Sequence, residues 1–154
     1  MCGGLWVRLG GEGKAGGGKA ERSGALTGVA AMRMQGLRDC TKQFAMCVSH
    51  LCGSLTGTGA AQVMGNQILR SATSVAANFR EASRARSSRE FIARLGLVEQ
   101  DLDETLLWPE LLVESGTMLA SRLASLHDEG EQLLKIVVST IRKTKARTKK
   151  TDPA

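Results

Sequence analysis

Three features of this 154-residue chain predict an all-α fold, an antiparallel up-down-up-down four-helix bundle. Apolar residues recur at steps of three and four along four separate segments. Glycine and serine mark the breaks between those segments. The core formers are Leu, Ile, Val, Ala and Met, since aromatic residues make up only 3% of the chain and Tyr is absent. Of these, Leu, Ala and Met lose little or no rotamer freedom in a helix.

The first stripe is Thr41, Phe44, Val48, Leu51 and Leu55, and the second is Ile68, Ala72, Val75 and Phe79. Phe91, Leu95, Val98, Leu102 and Leu106 form the third. Leu126, Leu133, Val137 and Ile141 form the fourth, with Gly130 in its gap. Each is one face of an amphipathic helix. Breaks are expected near 53–59, 83–87 and 115–119. Gly53, Gly57 and Gly59 occupy the first. At the second, Ser87-Ser88-Arg89-Glu90 reads as a capping box, Ser87 covering free amides while Glu90 reaches back. Gly116 sits where a left-handed helix cap belongs. Short turns favour antiparallel neighbours, hence the topology. Two residues run against this pattern. Pro109 should kink the third helix near Thr105–Trp108, and Leu119 stands where a Ser or Thr would cap the fourth.

The bundle is expected over residues 35–145. Before it, residues 1–34 read as a disordered Gly-rich extension, because ten of the 18 glycines fall within the first 31 residues and no apolar period survives there. After it, residues 146–154 read as a basic disordered tail. Gly13–Ala20 nearly matches the phosphate-binding loop GxxxxGK[ST], but Ala20 supplies no hydroxyl for magnesium and no parallel strands follow. No apolar run approaches the roughly 20 residues that span a bilayer. Cys2, Cys40, Cys47 and Cys52 form no CxxC pair and no zinc spacing, which reads as four free thiols.

The segment Gln67-Ile68-Leu69-Arg70-Ser71-Ala72-Thr73-Ser74-Val75-Ala76-Ala77-Asn78-Phe79-Arg80-Glu81-Ala82 resembles the signature of the bacterial four-helix bundle protein family. That family includes proteins encoded by intervening sequences of ribosomal RNA genes and the accessory variability protein of diversity-generating retroelements. The resemblance continues through Ser87–Ile92, Asp103–Trp108, Leu111–Gly116 and Glu131–Ile136, covering about residues 37 to 145. It implies a cytoplasmic bacterial protein without catalysis, assembled as a homopentamer. It also implies nucleic acid as a partner and, for the retroelement member, a reverse transcriptase.

The charge pattern points the same way. Of a formal net charge of +6, the cations fall into two groups. Arg70, Arg80, Arg84, Arg86, Arg89 and Arg94 surround the turn between helices two and three, opposed by Glu81 and Glu90. Arg142, Lys143, Lys145, Arg147, Lys149 and Lys150 form a tail run without an acid. Glu99, Asp101, Asp103, Glu104, Glu110 and Glu114 fill the rest of helix three. The arginine group therefore has three readings: nucleic-acid binding, pairing with the acidic flank of a neighbouring subunit, or a solvated face. The expected nucleic-acid-binding residues are Arg70, Arg80, Arg84, Arg86, Arg89, Arg94, Arg142, Lys143, Lys145 and Arg147. Binding should show little sequence preference, since no base-reading motif is visible and aromatic platforms are scarce.

Ser74, Asn78 and Glu81 follow the stripe of helix two and suggest a polar layer at a helix or subunit contact. His50 and His127 stand alone in different helices. No nucleophile pattern is present, so no enzyme activity, cofactor or metal is expected. Leu97, Leu107, Leu112 and Leu134 lie beyond the stripes and suggest self-association.

Overall fold

In the computed structural model, which describes residues 23–55 and 59–151, four helices follow one another: α1 (Ser23–Gly53), α2 (Ala60–Ala82), α3 (Ser88–Glu114) and α4 (Ala120–Thr151). The described residues contain no strand. All three breaks fall where glycine and serine place them. Both ends of the bundle, however, are longer than the apolar stripes. Helix α1 begins at Ser23, inside the segment read as a disordered extension, and α4 runs through Thr151, inside the segment read as a disordered tail. The near phosphate-binding loop at Gly13–Ala20 lies outside the described residues.

Side-chain pairs fix the directions. Arg70 meets Glu104, Ser74 meets Asp101 and Glu81 meets Arg94, so partners descend along α3 as they ascend along α2. His127 meets Glu110, and Gly130 faces Leu106, so α4 runs back along α3. The stripes meet in one core that includes Phe44, Val48, Ile68, Val75, Phe79, Leu95, Val98, Leu102, Leu133 and Val137. Burying such a side chain is worth about 1.5–3 kcal/mol. Leu55 lies past the end of α1, half-buried in the turn. Gly130 explains its own place in the α4 stripe. A Cβ there would stand 2.7 Å from Leu106 Cδ2 and 3.3 Å from Phe44 Cζ, so a side chain at this position would have to displace the Leu106 methyl where α1, α3 and α4 meet.

The helix ends follow from local chemistry. Ser87 is extended (φ −145°, ψ 157°) and its hydroxyl accepts from the Glu90 amide. The Glu90 carboxylate accepts from the amide of Arg86 at 2.9 Å, one residue upstream of the expected Ser87 amide. At the other end of α3, Gly116 takes φ 71°. The Thr117 amide reaches Leu112 O and the Gly116 amide reaches Val113 O, the two bonds of a Schellman cap. Leu119 has no side-chain oxygen to cap α4, and it is exposed. Pro109 sits buried inside α3, which is helical on both sides of it.

Cys40 and Cys52 are free thiols. Cys47 is disulfide-bonded, contrary to the reading of four free thiols. The buried hydroxyls of Thr41, Ser71 and Thr105 all find acceptors: Arg38 O for Thr41, Gln67 O and Ile68 O for Ser71, and Asp101 O for Thr105.

Candidate nucleic-acid interface

Helix α2 ends at Ala82, and the Ser83, Arg84 and Ala85 amides bond back to Phe79, Glu81 and Ala82 carbonyls. That tight turn, joined directly to the Ser87 cap, leaves Arg80, Arg84, Arg86 and Arg89 projecting from one small region. All four are exposed, and none forms an ion pair among the described residues.

The other two arginines of the predicted group do different work. Arg70 pairs with Glu104 across the α2–α3 seam, while its Nε donates to Gln67 Oε1. It stands fourteen residues before Arg84, about 20 Å away along a helix. The Trp108 indole also donates to Glu104, at 3.4 Å. Arg94 reaches Glu81 at 2.8 Å. Both arginines thus stitch α2 to α3, and sequence proximity alone had grouped them with the turn.

Two acids of α3, Glu104 and Asp101, belong to the same seam. Asp101 Oδ2 accepts from Ser74 at 2.6 Å and from Asn78 at 2.8 Å, while Asn78 also donates to the Ser74 hydroxyl. The polar layer expected from Ser74 and Asn78 therefore lies within one protomer, between α2 and α3, and Asp101 completes it. Glu81 does not join that layer but binds Arg94. The Thr105 and Ser71 hydroxyls meet at 2.8 Å, fully buried, one turn farther on. Glu110 meets His127 at 3.3 Å, so His127 is not solitary. His50 is exposed near the end of α1. Among the described residues no three of His, Cys, Asp and Glu converge as metal ligands would.

The tail cations continue α4. Ile141 is its last buried residue, and beyond it Arg142, Lys143, Lys145, Arg147, Lys149 and Lys150 are all exposed. Arg142, Lys145 and Lys149 share one face, and Lys143, Arg147 and Lys150 the adjacent one. Between these faces run Thr140, Thr144 and Thr148, each bonding to the carbonyl four residues back. Cations here complement the negative end of the helix dipole. Arg142 and Lys143 also border a hollow of about 480 Å³ lined by Leu134 and Val138.

Topology brings the two cation groups to one end. From the contact between Leu106 and Gly130, Arg89 lies seventeen residues back in α3 and Arg147 seventeen residues on in α4, each about 25 Å along its helix. The turn arginines and the last turns of α4 are consequently level. Helix α1 starts at this end too, and adds the exposed Arg33, a residue that sequence reasoning passed over because it lay in the segment read as disordered.

The same bundle appears in known proteins. The description of the 23S rRNA-intervening sequence proteins matches residues 38–139. This chain belongs to that family. A solved structure from Bacteroides thetaiotaomicron VPI-5482, a protein of unknown function from the S23 ribosomal protein family, is similar at 31% identity and a TM-score of 0.66. The similarity covers 71% of this chain and 97% of that one. No curated protein matches the chain. Among the described residues no helix is long and apolar enough to cross a membrane.

Proposed function

We propose that this family member is a non-enzymatic, oligomeric accessory protein that binds nucleic acid through its basic end with little sequence preference. The observation that carries the reading is the convergence of Arg80, Arg84, Arg86 and Arg89 with the exposed cations of α4 on one end of the bundle; the acids of the turn itself are Glu81, which pairs with Arg94, and Glu90, which accepts from the Arg86 amide. A concentrated positive surface releases counterions when it meets phosphates, which is the dominant source of sequence-independent affinity. The name of the matched family, which refers to an intervening sequence in 23S rRNA, supports RNA as the partner.

Self-assembly belongs to the same proposal, with a pentamer expected from the resemblance. Leu97 is 41% and Leu107 47% exposed on α3, and both would gain from burial against another copy. Leu112 is fully buried in the core and Leu134 packs partly against it, so neither supports assembly as the sequence suggested. A ring would repeat the basic end and add modest contacts by multivalency. A second reading is a self-assembling scaffold that uses the same charged surface to engage a protein partner such as a reverse transcriptase.

The test compares three chains at one salt concentration by fluorescence anisotropy. These are the parent, a triple Arg84→Ala, Arg86→Ala, Arg89→Ala variant, and a chain ending at Ile141. Each is first checked for helicity and size. Both variants should bind RNA at least about tenfold more weakly than the parent, and parent affinity should fall linearly in log–log with salt. A parent that binds neither RNA nor DNA at low salt gives the ground to the scaffold.

A further inference from the structure

We propose that the nucleic acid this basic end fits is double-stranded, and that paired strands bind it in preference to unpaired ones. The inference rests on the nucleic-acid reading above and names its substrate class. Proteins that hold single strands combine a basic groove with aromatic faces on which successive bases stack. Among the described residues the basic end has no such faces. Phe44 and Phe79 are buried, and Phe91, one turn beyond Ser87, is half-buried and packed against the core. Trp108 is nineteen residues from Arg89 along α3, about 28 Å away. It is itself half-buried, with its indole N–H turned to Glu104.

What the end does present is a row of cations on a regular frame. Past Ile141 the last turns of α4 bury no side chain through Lys150, so both cation faces are open along their length. Arg142, Lys145 and Lys149 step about 5 and 6 Å along the axis. The guanidinium groups of Arg80, Arg84, Arg86 and Arg89 stand level with them on the capped α2–α3 turn, whose backbone is held by the Ser87 and Glu90 bonds. Frame and turn are fixed before binding. A duplex is likewise ordered before binding and carries one charge per ~1.7 Å of its axis. Two preorganised partners lose little conformational freedom on meeting. A single strand must be straightened to follow the same row, and no aromatic side chain among the described residues here repays that ordering with base stacking.

The chemistry recognised is a rigid double row of phosphates, and RNA and DNA duplexes both offer it. The probes are therefore a 20-mer of oligo(U), its duplex with oligo(A), and the DNA duplex of equal length, each titrated with the full chain at matched salt concentrations. The RNA duplex should bind at least about tenfold more tightly than oligo(U), since stacking alone would have favoured the single strand. Its log–log salt slope should be steeper by about 0.9 to 0.7, the ratio set by the two charge densities. A DNA duplex bound as well as the RNA duplex shows that only paired phosphates are read. A DNA duplex bound no better than oligo(U) restricts the site to the A-form geometry. Oligo(U) binding as tightly as the RNA duplex, or more so, overturns the inference while leaving nucleic-acid binding in place. Binding of none of the three overturns both. The triple variant at Arg84, Arg86 and Arg89 should lose more affinity for the duplex than for oligo(U); an equal loss on both also overturns the inference.

Discussion

The α2–α3 seam and the last turns of α4 are both helical and both rich in charge, yet they use charge in opposite ways. In the seam each ionic group has an answer across the interface: Arg70 with Glu104, Arg94 with Glu81, and Asp101 with Ser74 and Asn78. Beneath them Ser71 and Thr105 share a buried hydrogen bond between two walls of the apolar core. In the last turns of α4 six cations follow Ile141 with no acid among them and nothing beneath to bury. The difference teaches that a count of arginines and lysines says little about role until their partners are known. Arg70 and Arg94 bridge two helices, whereas Arg84 and Arg86, of the same type and a few turns away, are exposed and form no ion pair among the described residues.

Substitutions should separate the two regions by size of effect. The largest is expected at the core wall of the seam, where Leu102 is fully buried. Leu102→Ala should cost about 3 kcal/mol in urea unfolding, through lost burial and the cavity left behind. A cost below ~1 kcal/mol would mean the seam is not tightly packed. Next comes Asp101→Ala, which strips the shared acceptor from Ser74 and Asn78. Two half-buried donors left without it should cost about 1–3 kcal/mol by the same measurement. Ser74→Ala in the Asp101→Ala background should add little, because the partner is already gone.

Gly130→Val probes where α4 still belongs to the core. Its side chain would meet Leu106 and Phe44, and overpacking of this kind costs about 1–3 kcal/mol. Moving a few turns on, the triple change of Lys145, Lys149 and Lys150 to Ala should leave stability within about 0.5 kcal/mol, since these residues touch no core. The same change should weaken RNA binding measurably, and a large loss of thermal stability would erase the contrast between the two regions.

The smallest effect concerns Glu129, half-buried on α4, whose carboxyl burial pushes above its ordinary 4.5. The folded chain holds that proton more tightly than the unfolded chain does. The contribution to stability is therefore present below about pH 4.5 and is lost as pH rises through the folded value. Glu129→Gln should raise the melting temperature at pH 7 by a degree or two, corresponding to well under ~1 kcal/mol after solvent screening. At pH 4 the two proteins should melt together; an equal gain at both pH values would mean the carboxyl never titrates differently in the fold.

How far the site could be read from the chain depends on the range of the interaction involved. The Ser87 cap and the Gly116 turn were legible because each depends on a few neighbouring residues: a hydroxyl three positions before an amide, or a residue free to take φ 71°. The arginine turn was legible for the same reason. Asp101 was grouped only as part of an acidic flank, because its partners come from another helix 23 and 27 positions away. Arg33 was missed because glycine-rich composition hid a helical start at Ser23.

By itself, then, the sequence determined the four helices, their three breaks and the residues of the core. These follow from side-chain periodicity and local capping, which act over one or two turns. Only the tertiary structure decided which cations pair across the α2–α3 seam, because that depends on the register between antiparallel helices. The same register brought Arg33, the α2–α3 turn and the end of α4 together, placing positive charges far apart in the chain at one end of the bundle.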